Sequence, residues 1–202
     1  MADAREFAGL AYTFLGMIYY RYDNSEAALV AFTYAIRFNP ENGLAYHNRG
    51  VIYRQIGQYE QAIADYDRAI KLDPQYASTY NNRGGAYADL GQYEYAIADY
   101  DRAIELDPQY ASAYHNRGYA YANLGQYERA IEDYTQSLIL NPQPDVTYLT
   151  RGQAYQALGH TQEARADFEY LLEASDDPSL RAAAESALHE LDATPTPGDD
   201  TP

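Results

Sequence analysis

The sequence predicts an all-α chain of stacked helical hairpins, and three observations predict it. Proline recurs every 34 residues, at Pro40, Pro74, Pro108 and Pro142. Glycine recurs on the same ruler 24 residues earlier, at Gly16, Gly50, Gly84 and Gly118, and again at Gly152. Between these marks the apolar spacing is helical in two segments, divided by a second glycine series at Gly57, Gly91, Gly125 and Gly159. A fixed period of this length is the signature of a repeat array.

The other positions follow the same ruler. Tyrosine lies four residues before each glycine of the first series (Tyr12, Tyr46, Tyr80, Tyr114, Tyr148) and three after it (Tyr19, Tyr53, Tyr87, Tyr121, Tyr155). Alanine follows at Ala28, Ala62, Ala96, Ala130 and Ala164, and an aromatic at Phe32, Tyr66, Tyr100, Tyr134 and Phe168. In the second repeat the first helix is expected over Leu44 to Ile56 and ends at Gly57, because glycine tolerates the left-handed conformation of a helix end. The second helix is expected from Tyr59 to Leu72. Pro74 cannot continue it and pushes Asp73 out of helical geometry. Helices of about a dozen residues are marginal alone in water, so stacking on neighbours supplies the core. Gly50 and Ala62, with their equivalents, are small where the two helices cross. The tyrosines are expected to fill the spaces between units, the alternative being an aromatic cage or base-stacking platform. Arg49, Arg83, Arg117 and Arg151 precede the glycines, and Asp65, Asp99, Asp133 and Asp167 follow 16 residues later. Each arginine is expected to pair with an aspartate of this series, within or between repeats. Leu180, Ala184, Ala187, Leu188 and Leu191 form one stripe of a final amphipathic helix.

These residues and their spacing resemble the tetratricopeptide repeat (TPR) family over roughly residues 9–178, with tyrosine in place of the family's usual tryptophan. The resemblance implies an all-α, right-handed α-solenoid of five TPR helix-turn-helix repeats, at 9–42, 43–76, 77–110, 111–144 and 145–178, plus a C-terminal capping helix at 179–192. An N-terminal arm, 1–8, leads into the first helix. The Thr-, Pro- and Asp-rich residues 193–202 are expected to be a disordered tail. Asp176 replaces the proline of the fifth repeat, and Leu171 replaces the small residue found at Ala35, Ala69 and Ala103, as suits a terminal repeat.

The resemblance also implies that the first helix of each repeat (helix A) lines a concave groove that holds a partner peptide or helix, while helix B covers the outside. By position the groove should present His47, Asn48 and Val51, then Asn81, Asn82, Gly85 and Asp89, then His115, Asn116, Tyr119 and Asn123. A stack of asparagines suits an extended chain, since each amide both donates and accepts; the alternative is a solvated consensus position. One TPR subclass grips a C-terminal carboxylate with lysine, asparagine and arginine. Here His or Asn stands where its first lysine belongs, so binding of that type is not expected. Gly85 inside a helix costs about 1 kcal/mol relative to alanine. It either opens a notch beside Tyr119 for a partner side chain or reflects drift. The first helix is unusually apolar at Leu10, Phe14 and Met17, with Phe7 and Tyr20 nearby. This is a candidate docking patch, and a homodimer through the first repeat is one use of it; the alternative is burial by the N-terminal arm.

Composition narrows the function. With 14 Lys+Arg against 30 Asp+Glu the formal charge is −16, so neither nucleic acid nor an anionic lipid surface is an expected partner. The acids fall mainly on the B helices, which places them on the outer face. There is no cysteine, hence no disulfide or thiolate chemistry. The N-terminus does not read as a secretory signal, and no uncharged apolar stretch approaches the roughly 18 residues of a membrane span. Membrane insertion is not expected and a cytoplasmic location is. The four histidines, His47, His115, His160 and His189, form no ligand or catalytic motif, so neither cofactor nor enzyme activity is expected. The functional expectation is a non-catalytic protein–protein interaction scaffold or adaptor. The alternative is a structural self-assembly module associating through the first helix or the array ends.

Overall fold

A computed structural model describes residues 2–143 and 145–193. Among the described residues the chain forms eleven helices and no strand: α1 (Ala2–Arg21), α2 (Ser25–Phe38), α3 (Gly43–Gln55), α4 (Tyr59–Leu72), α5 (Ala77–Asp89), α6 (Tyr93–Leu106), α7 (Ala111–Asn123), α8 (Tyr127–Leu140), α9 (Val146–Ala157), α10 (Thr161–Ala174) and α11 (Pro178–Ala193). Odd-numbered α1–α9 are the A helices and even-numbered α2–α10 the B helices. The final helix covers the expected 179–192 within one residue at each end, and the expected tail lies outside the described residues from 194 onward.

The chain divides into two compact units, Met1–Pro108 and Gln109–Pro202. In the first, three hairpins (α1/α2, α3/α4, α5/α6) stack with α2 packed on α3 and α4 packed on α5, and α3 touches both α1 and α5. In the second, α7/α8 and α9/α10 stack in the same way, and α11 closes the end against α9 and α10. Each unit is thus an all-α stack of helix-turn-helix repeats.

One contact recurs in every hairpin. A Cβ built on Gly50 would lie 2.8 Å from the Tyr66 ring; the distances are 2.6 Å for Gly16 and Phe32, 2.7 Å for Gly84 and Tyr100, and 2.9 Å for Gly118 and Tyr134. Gly152 meets Phe168 in the same way. The A helix therefore needs glycine so that the B-helix aromatic can cross it. Ala62, Ala96, Ala130 and Ala164, all fully buried, line the same crossings.

The arginines and aspartates pair within repeats. Arg49 grips Asp65 through Nε and Nη2, both at 2.7 Å. Arg83–Asp99, Arg117–Asp133 and Arg151–Asp167 repeat the two-point bond. Arg49 and Arg151 also donate through Nη1 to Thr33 and Thr135 of the preceding B helix. Tyr46 and Tyr53 flank the Arg49 guanidinium at 5.8 and 5.6 Å, and Tyr148 and Tyr155 flank that of Arg151. Part of the tyrosine content thus flanks half-buried cations.

Turn geometry agrees with the expected breaks. Gly57, Gly91, Gly125 and Gly159 have φ of +72° to +77°, and Asp23 takes the equivalent place in the first repeat at φ 55°, a conformation that aspartate tolerates better than most residues. Asp73 leaves helical geometry at φ −137°. Two boundaries differ from expectation. Helix α3 runs one residue earlier at each end. Helix α1 takes in the residues assigned to an arm, because residues 2–8 contain no glycine or proline to break it.

Candidate protein-binding faces

The expected groove residues separate into two sets. Asn48, Val51, Asn82, His115, Asn116, Asp89, Tyr119 and Asn123 are half-buried or exposed. His47, Asn81 and Gly85 are buried, which corrects their expected place on an open surface. The reason is angular: adjacent helix residues are about 100° apart, and position 47 turns toward the next A helix rather than outward. His47, 6% exposed, meets Thr79 of α5 at 2.9 Å through Nδ1. Half-buried His115 meets Thr147 of α9 at 3.0 Å in the same manner. Burial lowers the pKa of His47 from 6.5 to about 4. Burial also lowers that of His115, with the Asp145 carboxylate opposing. Both are neutral links between A helices. Asn48 and Asn123 return their side-chain amides to the carbonyls of Leu44 and Tyr119.

Each unit carries a recess between successive A helices. In the first unit Val51, Arg54, Gln55, Tyr66, Asn82 and Asp89 line about 290 Å³. In the second, about 280 Å³ opens among residues that include Tyr119, Asn123, Tyr134, Thr150 and Gln153. Arg54 had no place in the repeat pattern, and Tyr66 was expected only as a packing aromatic of helix B. Arg54 Nε donates to Asp89 Oδ2 at 2.6 Å across the first recess. Burial alone would lower the Arg54 pKa, but the bond to Asp89 and its charge leave it raised. A Cβ on Gly85 would stand 2.6 Å from Arg54 Cζ, so the space left by Gly85 is filled by this guanidinium. Of the two alternatives for Gly85, the open notch is therefore not what the structure has. A signal was present in the sequence: Arg54, Gly85 and Asp89 all depart from their equivalents in neighbouring repeats. Their common purpose needed the contact to be seen.

Helix α1 presents Phe7, Leu10, Phe14, Leu15, Met17 and Ile18 to solvent, Phe14 at 63% exposure. At the place of Arg49 and Asp65 the first repeat has Leu15 and Ala31, which line a recess of about 440 Å³ with Tyr12, Tyr19, Val30 and Tyr34, and with Asn24 and Glu26 at its polar side. Tyr20 is held by Gln55, whose Nε2 donates to its hydroxyl at 2.7 Å.

Among the described residues no cluster of three His, Cys, Asp or Glu could hold a metal ion, and no helix is long and apolar enough to cross a membrane.

Comparison with known proteins agrees with this geometry. Family models described as TPR repeat match residues 50–91 and 84–125. Models described as tetratricopeptide repeat match 31–64, 111–144 and 146–178. The chain belongs to the tetratricopeptide repeat family. TPR proteins are generally non-catalytic scaffolds for protein–protein interaction. The thermophilic TPR protein TTC0263 of Thermus thermophilus is 26% identical, with a TM-score of 0.73 over 90% of this chain and 100% of that one. A crystal structure of MamA is 25% identical, with a TM-score of 0.72 over 94% and 98%. The first TPR of Spaghetti (RPAP3), bound to the HSP90 peptide SRMEEVD, is 30% identical, with a TM-score of 0.58 over 59% and 94%. No protein of curated function matches the sequence.

Proposed function

We propose that this TPR protein is a non-catalytic scaffold that binds an extended peptide or helix of a partner protein on the A-helix faces. The observation that carries this reading is the recess between successive A helices, present in each unit and bordered by side-chain amides and tyrosines. Asn82 lines the first recess, and Asn48 and Asn116 occupy the equivalent positions of α3 and α7; a side-chain amide can both donate to and accept from a peptide backbone. The peptide held by the RPAP3 repeat shows that such a fold can seat one. The partner here differs in chemistry, because the clamp lysine position is the buried, neutral His47. The charge of −16 favours protein over nucleic acid.

The test is affinity capture from native lysate with cross-linking, comparing wild type with Asn48→Ala/Asn82→Ala/Asn116→Ala. Cross-links should map to α3, α5 and α7. At about 1 kcal/mol per amide, partner affinity should fall by roughly 100-fold in the variant. Retained capture by a folded variant rejects the reading.

The exposed apolar side of α1 favours a second reading, a self-assembly module. Residues 8–20 contain no charged side chain, so the acidic charge of the chain does not oppose pairing there. A standard interface buries about 800 Å² per partner, and a row of large apolar side chains along a 20-residue helix can supply most of it. Light scattering after size exclusion should give twice the chain mass for wild type and the monomer mass for Phe14→Glu. Two monomers remove self-association.

A further inference from the structure

Among the described residues one buried side-chain polar atom has no hydrogen-bond partner, the Tyr66 hydroxyl. Tyr66 is 0% exposed. Its ring passes over Gly50 from the B-helix side, and Tyr66 is among the residues that line the recess between α3 and α5. The second unit contains the same frame: Tyr134 passes over Gly118, and its hydroxyl is hydrogen-bonded to Thr150 of α9. The residue at the Thr150 position in the first unit is Asn82, and it leaves the Tyr66 hydroxyl unpaired. A buried hydroxyl of this kind calls for an acceptor.

The rest of the recess defines what that acceptor belongs to. Arg54 uses Nε for Asp89 Oδ2 and keeps its two terminal nitrogens along the floor made by Gly85. Asp89 keeps Oδ1. The arginine charge is already balanced by Asp89, so the recess is neutral within a chain of charge −16. A carboxylate would add an unbalanced negative charge beside Asp89, and an ammonium would meet Arg54. A neutral group with one acceptor and one donor suits both edges of the ion pair.

We propose that this recess is a subsite for a primary carboxamide, the side chain of a glutamine or asparagine in a bound peptide. The amide oxygen accepts from Tyr66 and Arg54, and the amide nitrogen donates to Asp89 Oδ1, with Asn82 closing the rim. The proposal rests on the A-helix reading and specifies one side chain of its ligand.

The test uses small probes and needs no partner. N-acetyl-glutamine methylamide is titrated into 15N-labelled full-length protein and followed by amide shifts and by the Arg54 Nε–H signal. A Kd of about 10 mM is expected. The glutamate analogue should bind at least about fivefold more weakly, since its charge is unbalanced beside Asp89. Tyr66→Phe keeps the ring over Gly50 and should weaken the glutamine probe about tenfold. Wild type showing no response up to about 100 mM, tenfold above the expected Kd, overturns the proposal. So does equal binding of the glutamate analogue, which would make the site indifferent to charge. Unchanged binding by Tyr66→Phe also overturns it and leaves the hydroxyl a buried group that meets no ligand. A protein that captures its partner through α3, α5 and α7 yet ignores the glutamine probe loses the subsite and keeps the A-helix reading; a protein that binds the probe but keeps its partner after the asparagine substitutions does the reverse.

Discussion

Arg83→Ala should lower the unfolding free energy by about 3–5 kcal/mol, the range for stripping one partner from a buried ion pair. Arg83 donates Nε and Nη2 to Asp99 at 2.8 and 2.6 Å and Nη1 to Asp67 of α4, so it joins its own hairpin to the preceding B helix. Asp99 is only 6% exposed. Burial pushes its carboxyl above the ordinary range, while the Arg83 hydrogen bonds and charge pull against that rise. For Arg83, burial works against the charged form, and the bonds to Asp99 and then Asp67 more than restore it. Alanine leaves Asp99 as an isolated charge in a site that water scarcely reaches. The urea midpoint measures the loss. Two controls isolate its origin. Arg83→Met/Asp99→Leu should recover most of the stability, because an apolar pair carries no desolvation cost. Arg102→Ala, which breaks the exposed pair with Glu105, should stay near wild type. A small loss for Arg83→Ala would mean that water or another cation compensates Asp99.

The second large effect is a pH dependence centred on His47. The unfolded chain takes up a proton at this site near its ordinary value of 6.5, whereas burial lowers the folded value to about 4. Between these values the unfolded state binds more protons, so stability is complete above about pH 6.5 and falls as the pH drops toward 4. The loss is on the order of 3 kcal/mol at full development, once the pH lies below both values. His47→Gln keeps a polar side chain that can meet Thr79 but cannot charge. Urea midpoints for wild type and His47→Gln, compared at pH 7.5 and 4.5, should show wild type losing more stability than the variant. Carboxylates common to both chains cancel in that difference, as does His115, which shifts in the same direction. Parallel curves would show that His47 protonates without opening the α3–α5 contact.

The hairpins were legible in the sequence residue by residue. Gly57 and its equivalents marked turns that need positive φ. Gly50 and its equivalents marked crossings where a Cβ would strike an aromatic ring. The arginine–aspartate pairs were legible because their spacing of 16 residues repeats without change. The binding faces were less so. His47 and Asn48 are neighbours in sequence, yet one is buried against Thr79 and the other stands half open. Assigning both to the groove treated a helix position as a direction. Arg54 and Asp89 are 35 residues apart and break the repeat pattern rather than follow it, so a reading built on recurrence passed over them.

The sequence alone determined the period, the helices, their breaks and the small-to-aromatic contact inside each hairpin, because these depend on spacing along one chain segment and are written several times over. The tertiary structure decided which side of each A helix faces its neighbour, where the Arg54 guanidinium lies, and that the Tyr66 hydroxyl ends without a partner. Those depend on the rotation and offset of one hairpin against the next, and a few degrees of either exchange a buried contact for an open recess.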